Sequence, residues 1–401
     1  MKKILLFFLI MMGYHAFPQQ YRYFKAQLHC HSNVASGAMS PATVAQEYFS
    51  RGYEILCLTE HNIMTPASDY AMPGLLTINS EEYTSDKHLN GFFIDHTVYA
   101  RNMDPQMSID TIRAQGGLVQ FNHPVQAALN NYTYTFPQFM ALNNGPDFIE
   151  IHNAGTDLIP LGLFKMQIWD SLLMNDRRIW GTSTDDMHDL FQGYVIQTID
   201  IGWIMVRLNI LSADSLRAAL LRGDFYGSNG VQIFYYSVDG NTVNISSDAT
   251  TIRFIGDWGQ IVSEVSGPSA SYNRTTEKYI RIELEKPGPL GVGVKYAFTQ
   301  PVFFDNTLSN RYNDNDFQYH LTSYPNPCSN SLNICYNNEK KSDVQIEIYD
   351  LAGKKVSSLS NSIQQAGFID VSIDISGLNQ GFYIYAVIIN GLVITNKFTK
   401  L

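Results

Sequence analysis

Charge is scarce in this chain. Only 16% of its 401 residues are Asp, Glu, Lys or Arg, against about 25% in an average soluble protein, so Asn, Ser, Thr and Tyr must solvate much of the surface. Basic residues are scarcer still: 27 Lys and Arg face 37 Asp and Glu, for a net charge of -10. That balance excludes sequence-independent nucleic-acid binding, which needs a basic face. Long apolar runs are missing as well. Ile4 to Met12 is too short to span a bilayer and no other stretch is long enough, so no transmembrane span is expected. Neither a Gly-x-Ser-x-Gly elbow nor a phosphate-cradling P-loop occurs, which leaves a serine nucleophile or nucleoside-triphosphate chemistry without support. Cysteines number four. Cys30 and Cys57 lie in apolar, strand-like segments and read as buried free thiols, whereas pairing of Cys328 with Cys335 stays open.

What is present is histidine, unevenly placed. Eight of the ten fall between residues 29 and 188. Six of them recur at the ends of apolar runs beside carboxylates: His29-Cys30-His31, Glu60-His61-Asn62, Asn122-His123-Pro124, Asp185-Asp186-Met187-His188 and, more weakly, Glu150-Ile151-His152-Asn153, with Glu81-Glu82 a purely acidic station between. Imidazole with carboxylate is the ligand mixture of a catalytic transition-metal site, and a carboxylate can bridge two ions. Taken singly, each histidine is more readily a hydrogen-bonded core residue than a ligand. Their order changes that reading, because each sits at the C-terminal end of its run, where βα folds gather their active sites.

Further detail follows from spacing. His29 and His31 are two apart on a strand, so both rings face one side while Cys30 points away; Asp186 and His188 repeat the offset. Glu82 is central and is the best candidate bridge, ahead of Glu81. His123 sits in a loop stiffened by Pro124. Several imidazoles favour zinc, iron or manganese over a magnesium-only cage, and two or three divalent ions are expected. Ions there would bring a water's pKa toward ~7, and His61 or His188 could protonate the leaving group.

At 401 residues, two or three domains are expected. Lys2, Lys3, Ile4 to Met12 and Ala16 read as a secretory signal over residues 1–20. From about residue 22 to 225, apolar runs alternate with helical stretches near 40–50, 108–115 and 161–175, which predicts an α/β domain with a parallel, barrel-like sheet. Residues 226–304 read as a small antiparallel β-sandwich, 305–321 as an Asn/Asp-rich linker, and 322–401 as a last all-β segment.

These motifs carry a resemblance. Leu28-His29-Cys30-His31-Ser32, Leu58-Thr59-Glu60-His61-Asn62, Glu82-Tyr83-Thr84-Ser85 with His88-Leu89-Asn90, Asn122-His123-Pro124 and Asp186-Met187-His188 resemble the polymerase and histidinol phosphatase (PHP) superfamily. The resemblance implies a distorted (βα)7 barrel that hydrolyses phosphoesters at a di- or trinuclear metal site. It implies that His29, His31, Glu82 and Asp186 hold one ion, Glu82 and His123 a second, and His61 and His188 a third. Glu60 stands where the family usually has Asp; with His61 and His188 it makes up the expected catalytic set. Ser36-Gly37 occupies a loop that often reads Asp-Gly or supplies a histidine, which weakens the expectation of a third ion.

The stretches from Trp180 to His188, Gly202-Trp203, Leu220 to Gly230 and Phe298-Thr299-Gln300-Pro301 look like a secreted branch of that superfamily. Its members carry a β-domain after the barrel and include hydrolases of carbamate esters and amides. Tyr324-Pro325-Asn326-Pro327, Ile348-Tyr349-Asp350-Leu351-Ala352-Gly353-Lys354, Leu378-Asn379-Gln380-Gly381-Phe382-Tyr383 and Lys397-Phe398 look like the C-terminal sorting domain of type IX secretion in Bacteroidota. That implies the type IX machinery as a partner, and release or attachment at the cell surface. The leading expectation is thus an exported, metal-dependent phosphoesterase acting on a small-molecule or ester substrate. The alternatives are hydrolysis of a carboxylic or carbamic ester or amide by the same chemistry, and a non-catalytic surface-binding module.

Overall fold

The computed structural model describes residues 21–85, 87–98, 104–124, 135–154, 162–192, 196–291, 293–304, 322–324, 327–338, 341–351, 353–364, 367–390 and 392–401. The expected signal at 1–20, the linker at 305–321, and Pro325, Asn326 and Ala352 of the tail motifs lie outside them. The chain divides into two compact units, Met1–Phe304 and Asp305–Leu401.

In the first unit the order is β1 (Arg22–Gln27), α1 (Pro41–Ser50), β2 (Ile55–Cys57), β3 (Leu76–Ile78), β4 (Ser80–Thr84), β5 (His88–Phe92), α2 (Pro105–Ala114), β6 (Leu118–Phe121), α3 (Phe136–Ala141), β7 (Phe148–Asn153), α4 (Gly162–Met174) and β8 (Trp180–Thr184). Then come β9 (Phe191–Gln192), β10 (Ile196–Gln197), β11 (Trp203–Leu208), α5 (Ala213–Arg222) and β12 (Phe225–Ser228). The helices start where local chemistry says they should. Ser40 caps α1 and Asp104 caps α2, each accepting from a backbone N–H three residues on, with proline in the first turn.

The strands do not form one closed sheet. β1, β2 and β3 run parallel, with β11 antiparallel on the far side of β1. A second sheet runs β4-β5-β6-β7-β8, in which only β5 is reversed. The reason lies in the connections. Ser85 to Lys87 is too short for the crossover that a parallel pair needs, so β4 and β5 pair as a hairpin. Bridges stitch the two sheets at the strand ends, His61 to Glu82 on one side and Cys30 to Met187 on the other. There Glu82 N donates to Glu60 O at 2.9 Å and His31 N to Met187 O at 2.8 Å. The stitched rim carries the histidine stations. Strands β6 and β7 are buried along their whole length, between an apolar layer of Ile109, Ile112, Phe121, Ile149 and Trp169 and another of Leu28, Ile55, Phe148 and Ile204.

Residues 226–304 form β13 (Ile233–Asp239), β14 (Thr242–Ser247), β15 (Thr251–Ile255), β16 (Ile261–Ser266), β17 (Ser269–Asn273), β18 (Tyr279–Pro287), β19 (Val294–Thr299) and β20 (Val302–Phe303). They do not make a free-standing sandwich. β16-β15-β18-β19 continue through β12 and β11 into β1, so one sheet runs from the strands carrying the histidine stations into the β-rich region. The sheet β13-β14-β17 closes the other side of a core built on Ile233, Val243, Ile245, Phe254, Ile282 and Leu284. Arg281 on β18 is buried and binds Asp170 of α4 through Nη2 to Oδ2 at 2.7 Å, tying the two regions together.

The second unit is all-β. Thr322–Tyr324, Ser331–Asn338 and Gly367–Asp374 make one sheet; Lys355–Gln364, Ser342–Asp350, Gly381–Ile389 and Leu392–Lys400 make the other. Leu332, Ile334, Ile348, Tyr385, Val387 and Phe398 fill the core. Cys30, Cys57 and Cys328 are buried free thiols. No helix among the described residues is long and apolar enough to cross a membrane.

Candidate metal centre

β1 ends at Gln27, whose side-chain oxygen accepts from Leu28 N and His29 N, each at 3.1 Å. This local capping turns His29 and His31 inward, while Cys30 joins the apolar cluster of Val44 and Tyr48 as expected. Nε2 of His29 and of His31 lie 3.2 and 3.1 Å from Asp186 Oδ1. The same two nitrogens lie 3.5 Å from Glu82 Oε1 and Oε2 respectively. Glu82 reaches onward: Oε1 is 3.0 Å from His88 Nδ1 and 3.6 Å from His123 Nε2, and Oε2 is 2.8 Å from His61 Nδ1. His31, His61 and His188 pack ring against ring, with centroids 4.1 to 5.7 Å apart.

Three groups therefore present ligand atoms within 4.8 Å of one another: His29, His31 and Asp186; Glu82, His88 and His123; and His31, His61 and His188. The donors are imidazole nitrogens and carboxylate oxygens, the set that divalent transition metals prefer. His29 Nε2 and His123 Nδ1 are buried without a hydrogen-bond partner among the described residues. Orphaned buried nitrogens are rare in proteins, and a metal ligand is one way to satisfy them. The residues present fit a divalent ion.

The electrostatics agree. Burial opposes charge on Glu82 and Asp186, yet His29 and the neighbouring imidazoles hold both carboxyls well below the usual range. Burial would also lower His29, but Asp186, Glu150 and Glu82 around it push its pKa up. His31 goes the other way, brought down to about 4 by burial. The rim is conformationally strained as well. Asn62, His123 and Asp186 have φ of 58°, 27° and 51°, a region that non-glycine residues occupy at a cost and that clusters at functional sites.

All seven residues expected as ligands (His29, His31, His61, Glu82, His123, Asp186 and His188) are brought together. Glu82 reaches imidazoles of all three groups through its two oxygens. Glu60 is placed differently: Oε1 accepts from Ser32 N at 2.7 Å and from the Ser32 hydroxyl, and the side chain stands outside the three groups. Glu81 Oε2 accepts from Val98 N at 2.9 Å. His152 is 3.0 Å from Ser183 Oγ and packs on Tyr296. Arg113 donates to Gly145 O and Asp147, and Arg101 lies outside the described residues. The Ser36-Gly37 loop folds back through Gly37 N to Ser32 O and Ala38 N to His188 O. It adds no imidazole, so the third group borrows His31 from the first.

Two contributors escaped the sequence reading. His88 belonged to a quoted motif without a role; the β4–β5 register, Thr84 opposite His88 and Glu82 opposite Asn90, brings it to Glu82. Recognising that hairpin is the signal that would have found it. Glu150 is fully buried with its Oε1 2.6 Å from His29 Nδ1, the carboxylate-histidine pairing that orients metal ligands.

Comparisons with known proteins add context. The chain is similar to a two-domain protein from Bacteroides vulgatus containing a predicted PHP-like metal-dependent phosphoesterase, at 14% identity and a TM-score of 0.42, covering 88% of this chain and 96% of that one. It is also similar to an amidohydrolase from Chromobacterium violaceum solved with sulfate and no metal, at 14% identity and a TM-score of 0.31, over 41% and 87% of the two chains. An uncharacterised protein of Methanocaldococcus jannaschii is 27% identical over 100 residues, which are 25% of this chain and 39% of that relative. Residues 322–400 match the family model described as the secretion system C-terminal sorting domain, and this part of the chain belongs to that family of type IX sorting domains.

Proposed function

We propose that the first unit is an exported metal-dependent hydrolase of phosphoesters, its two stitched sheets being the halves of a distorted PHP-type (βα)7 barrel. The observation that carries this is the convergence of eight imidazole and carboxylate residues into three neighbouring groups, two of them sharing His31, on one rim of strand ends. His29, His31, Glu82 and Asp186 would hold one divalent ion (zinc, manganese or iron), and Glu82, His88 and His123 a second. His61 and His188, sharing His31, would hold a weaker third. Such ions lower the pKa of a water toward ~7 and polarise a phosphoryl oxygen.

The chain's own groups do the rest. Glu82 fixes the separation of the first two groups because its two oxygens face both. His61 and His188 have side chains 28% and 41% exposed, the most open imidazoles of the rim, and whichever is not engaged by the third ion can deliver a proton to the leaving oxygen. Glu60, turned to Ser32, acts by holding the chain next to His31 rather than by touching substrate. The sorting domain directs the protein through type IX secretion to the cell surface or beyond it.

The test is metal analysis of the purified chain, then assay on p-nitrophenyl phosphate, bis-p-nitrophenyl phosphate and p-nitrophenyl acetate. Phosphoester turnover is expected, with His29→Ala and Asp186→Ala losing metal and activity together. Turnover of acetate alone would move the reading to carboxylic esters. A metal-loaded protein without any turnover would favour the binding module. Full activity in both variants would overturn the site.

A further inference from the structure

We infer that Glu150 is the positioning residue that sets the first two ligand groups at once, so that ions load them in one coupled step. This rests on the metal-centre reading above. Glu150 lies at the centre of β7 and is fully buried. Its Oε1 is 2.6 Å from His29 Nδ1, and accepts from Thr184 Oγ1 at 2.7 Å and Gln120 Nε2 at 3.1 Å. Its Oε2 accepts from His123 N at 2.6 Å and from Asn153 Nδ2 at 2.9 Å. One carboxylate therefore touches the ring of a first-group ligand and the backbone of a second-group ligand.

Each contact has a consequence for metal binding. A carboxylate can only accept, so Nδ1 of His29 donates its proton to Glu150, which leaves Nε2, facing Asp186 and Glu82, as the nitrogen that would give up its proton to an ion held there. The His123 N–H bond holds the φ of 27° that swings this ring toward Glu82. The carboxylate's other partners extend the frame. Asn153 Nδ2 also donates to Asp186 Oδ2 at 3.2 Å, and Gln120 Nε2 donates to Asn122 Oδ1, whose own Nδ2 donates to Glu82 Oε1 at 2.8 Å. A displacement of Glu150 thus reaches Asp186 and Glu82 by fixed hydrogen bonds. Glutamine is nearly the same size but must turn an NH2 toward either His29 Nδ1–H or the His123 N–H, so it cannot satisfy both.

The experiment is titration of the full chain, stripped with chelator, with Co2+ followed by visible absorption and with Mn2+ followed by calorimetry. Wild type is expected to take up two ions in one cooperative transition. Glu150→Gln should bind each ion about 10–100-fold more weakly, in two resolved steps with an altered Co2+ spectrum, while the circular dichroism of the stripped protein stays unchanged. Thr184→Val, which removes a single bond to Oε1, should weaken the first ion alone, and keeps the idea testable if the Gln variant does not fold. Wild-type affinities and a single joint step in Glu150→Gln, or in Thr184→Val where only that variant folds, would overturn the inference. Two ions binding independently to wild type would overturn it too, leaving the metal centre standing. A wild-type chain that binds neither ion would remove the metal-centre reading and this inference with it.

Discussion

Gly202 shows how tightly the residues behind the histidine rim are packed. A Cβ at this position would collide with His152 Nδ1 and come within 2.6 Å of Thr184 O. Gly202 also donates to Asp185 Oδ1 at 2.8 Å and accepts from Gln27 Nε2 at 3.0 Å, so its backbone cannot move aside freely. Gly202→Ala is expected to destabilise the first unit by about 1–3 kcal/mol, the usual cost of overpacking, read as a lower urea midpoint. Glu277 offers a residue whose effect depends on pH. Burial works against its charge, but Tyr272 OH at 2.6 Å and the Thr275 and Thr276 amides bring its pKa down from 4.5 to about 2. The folded value lies below the unfolded one, so its contribution is complete above pH 4.5 and fades as pH falls toward 2. The stability gap between wild type and Glu277→Gln should therefore be widest at pH 6 and narrow toward pH 2.5. A gap that stays constant would mean that the carboxylate charge does not matter there.

Among the elements, α4 and β18 are joined by a buried cluster. Asp170 accepts from Tyr279 OH at 2.6 Å and from Arg281 Nε and Nη2 at 2.8 and 2.7 Å, with Arg281 lying over the Trp169 ring. Asp170→Ala takes the bidentate partner from Arg281, leaving Glu283 at 2.5 Å from Nη1 as its remaining carboxylate, and takes the acceptor from Tyr279 OH, so it should cost up to about 3–5 kcal/mol by chemical denaturation. Replacing both Asp170 and Arg281 by apolar residues should cost far less. Neither this latch nor the sheet that runs from β16 to β3 was legible in the sequence, because β12 meets β19 about 70 residues further on and no local pattern records that pairing. The first helix was legible at 40–50, where Ser40-Pro41 marks its start, whereas α2 begins at Pro105 behind its Asp104 cap, three residues before the expected 108. The histidines that meet at the rim were legible because a histidine at the end of an apolar run has a local signature. His88 needed the β4–β5 hairpin, and Glu150 needed His29, which is 121 residues away, so both waited for the fold.

At the scale of the whole molecule, the two compact units differ in the residues they offer to an ion. The first holds the rim of buried imidazoles and carboxylates, whereas the second is an all-β sorting domain and supplies none of the residues in those three groups. Ions that bind only the folded rim stabilise it by mass action, about 2.7 kcal/mol at a free concentration 100 times Kd. Stripping them leaves Glu82, Asp186 and Glu150 facing one another around His29 with fewer compensating charges, which adds to the loss. Calorimetry of the full chain should thus show two unfolding transitions. Chelation should lower the midpoint assigned to residues 21–304 by several degrees, and readdition of Mn2+ or Zn2+ should restore it. The transition of residues 322–401 should not move, and a separately expressed sorting domain identifies it. If chelation shifts both transitions equally or neither, the ions are not held by the rim of the first unit alone.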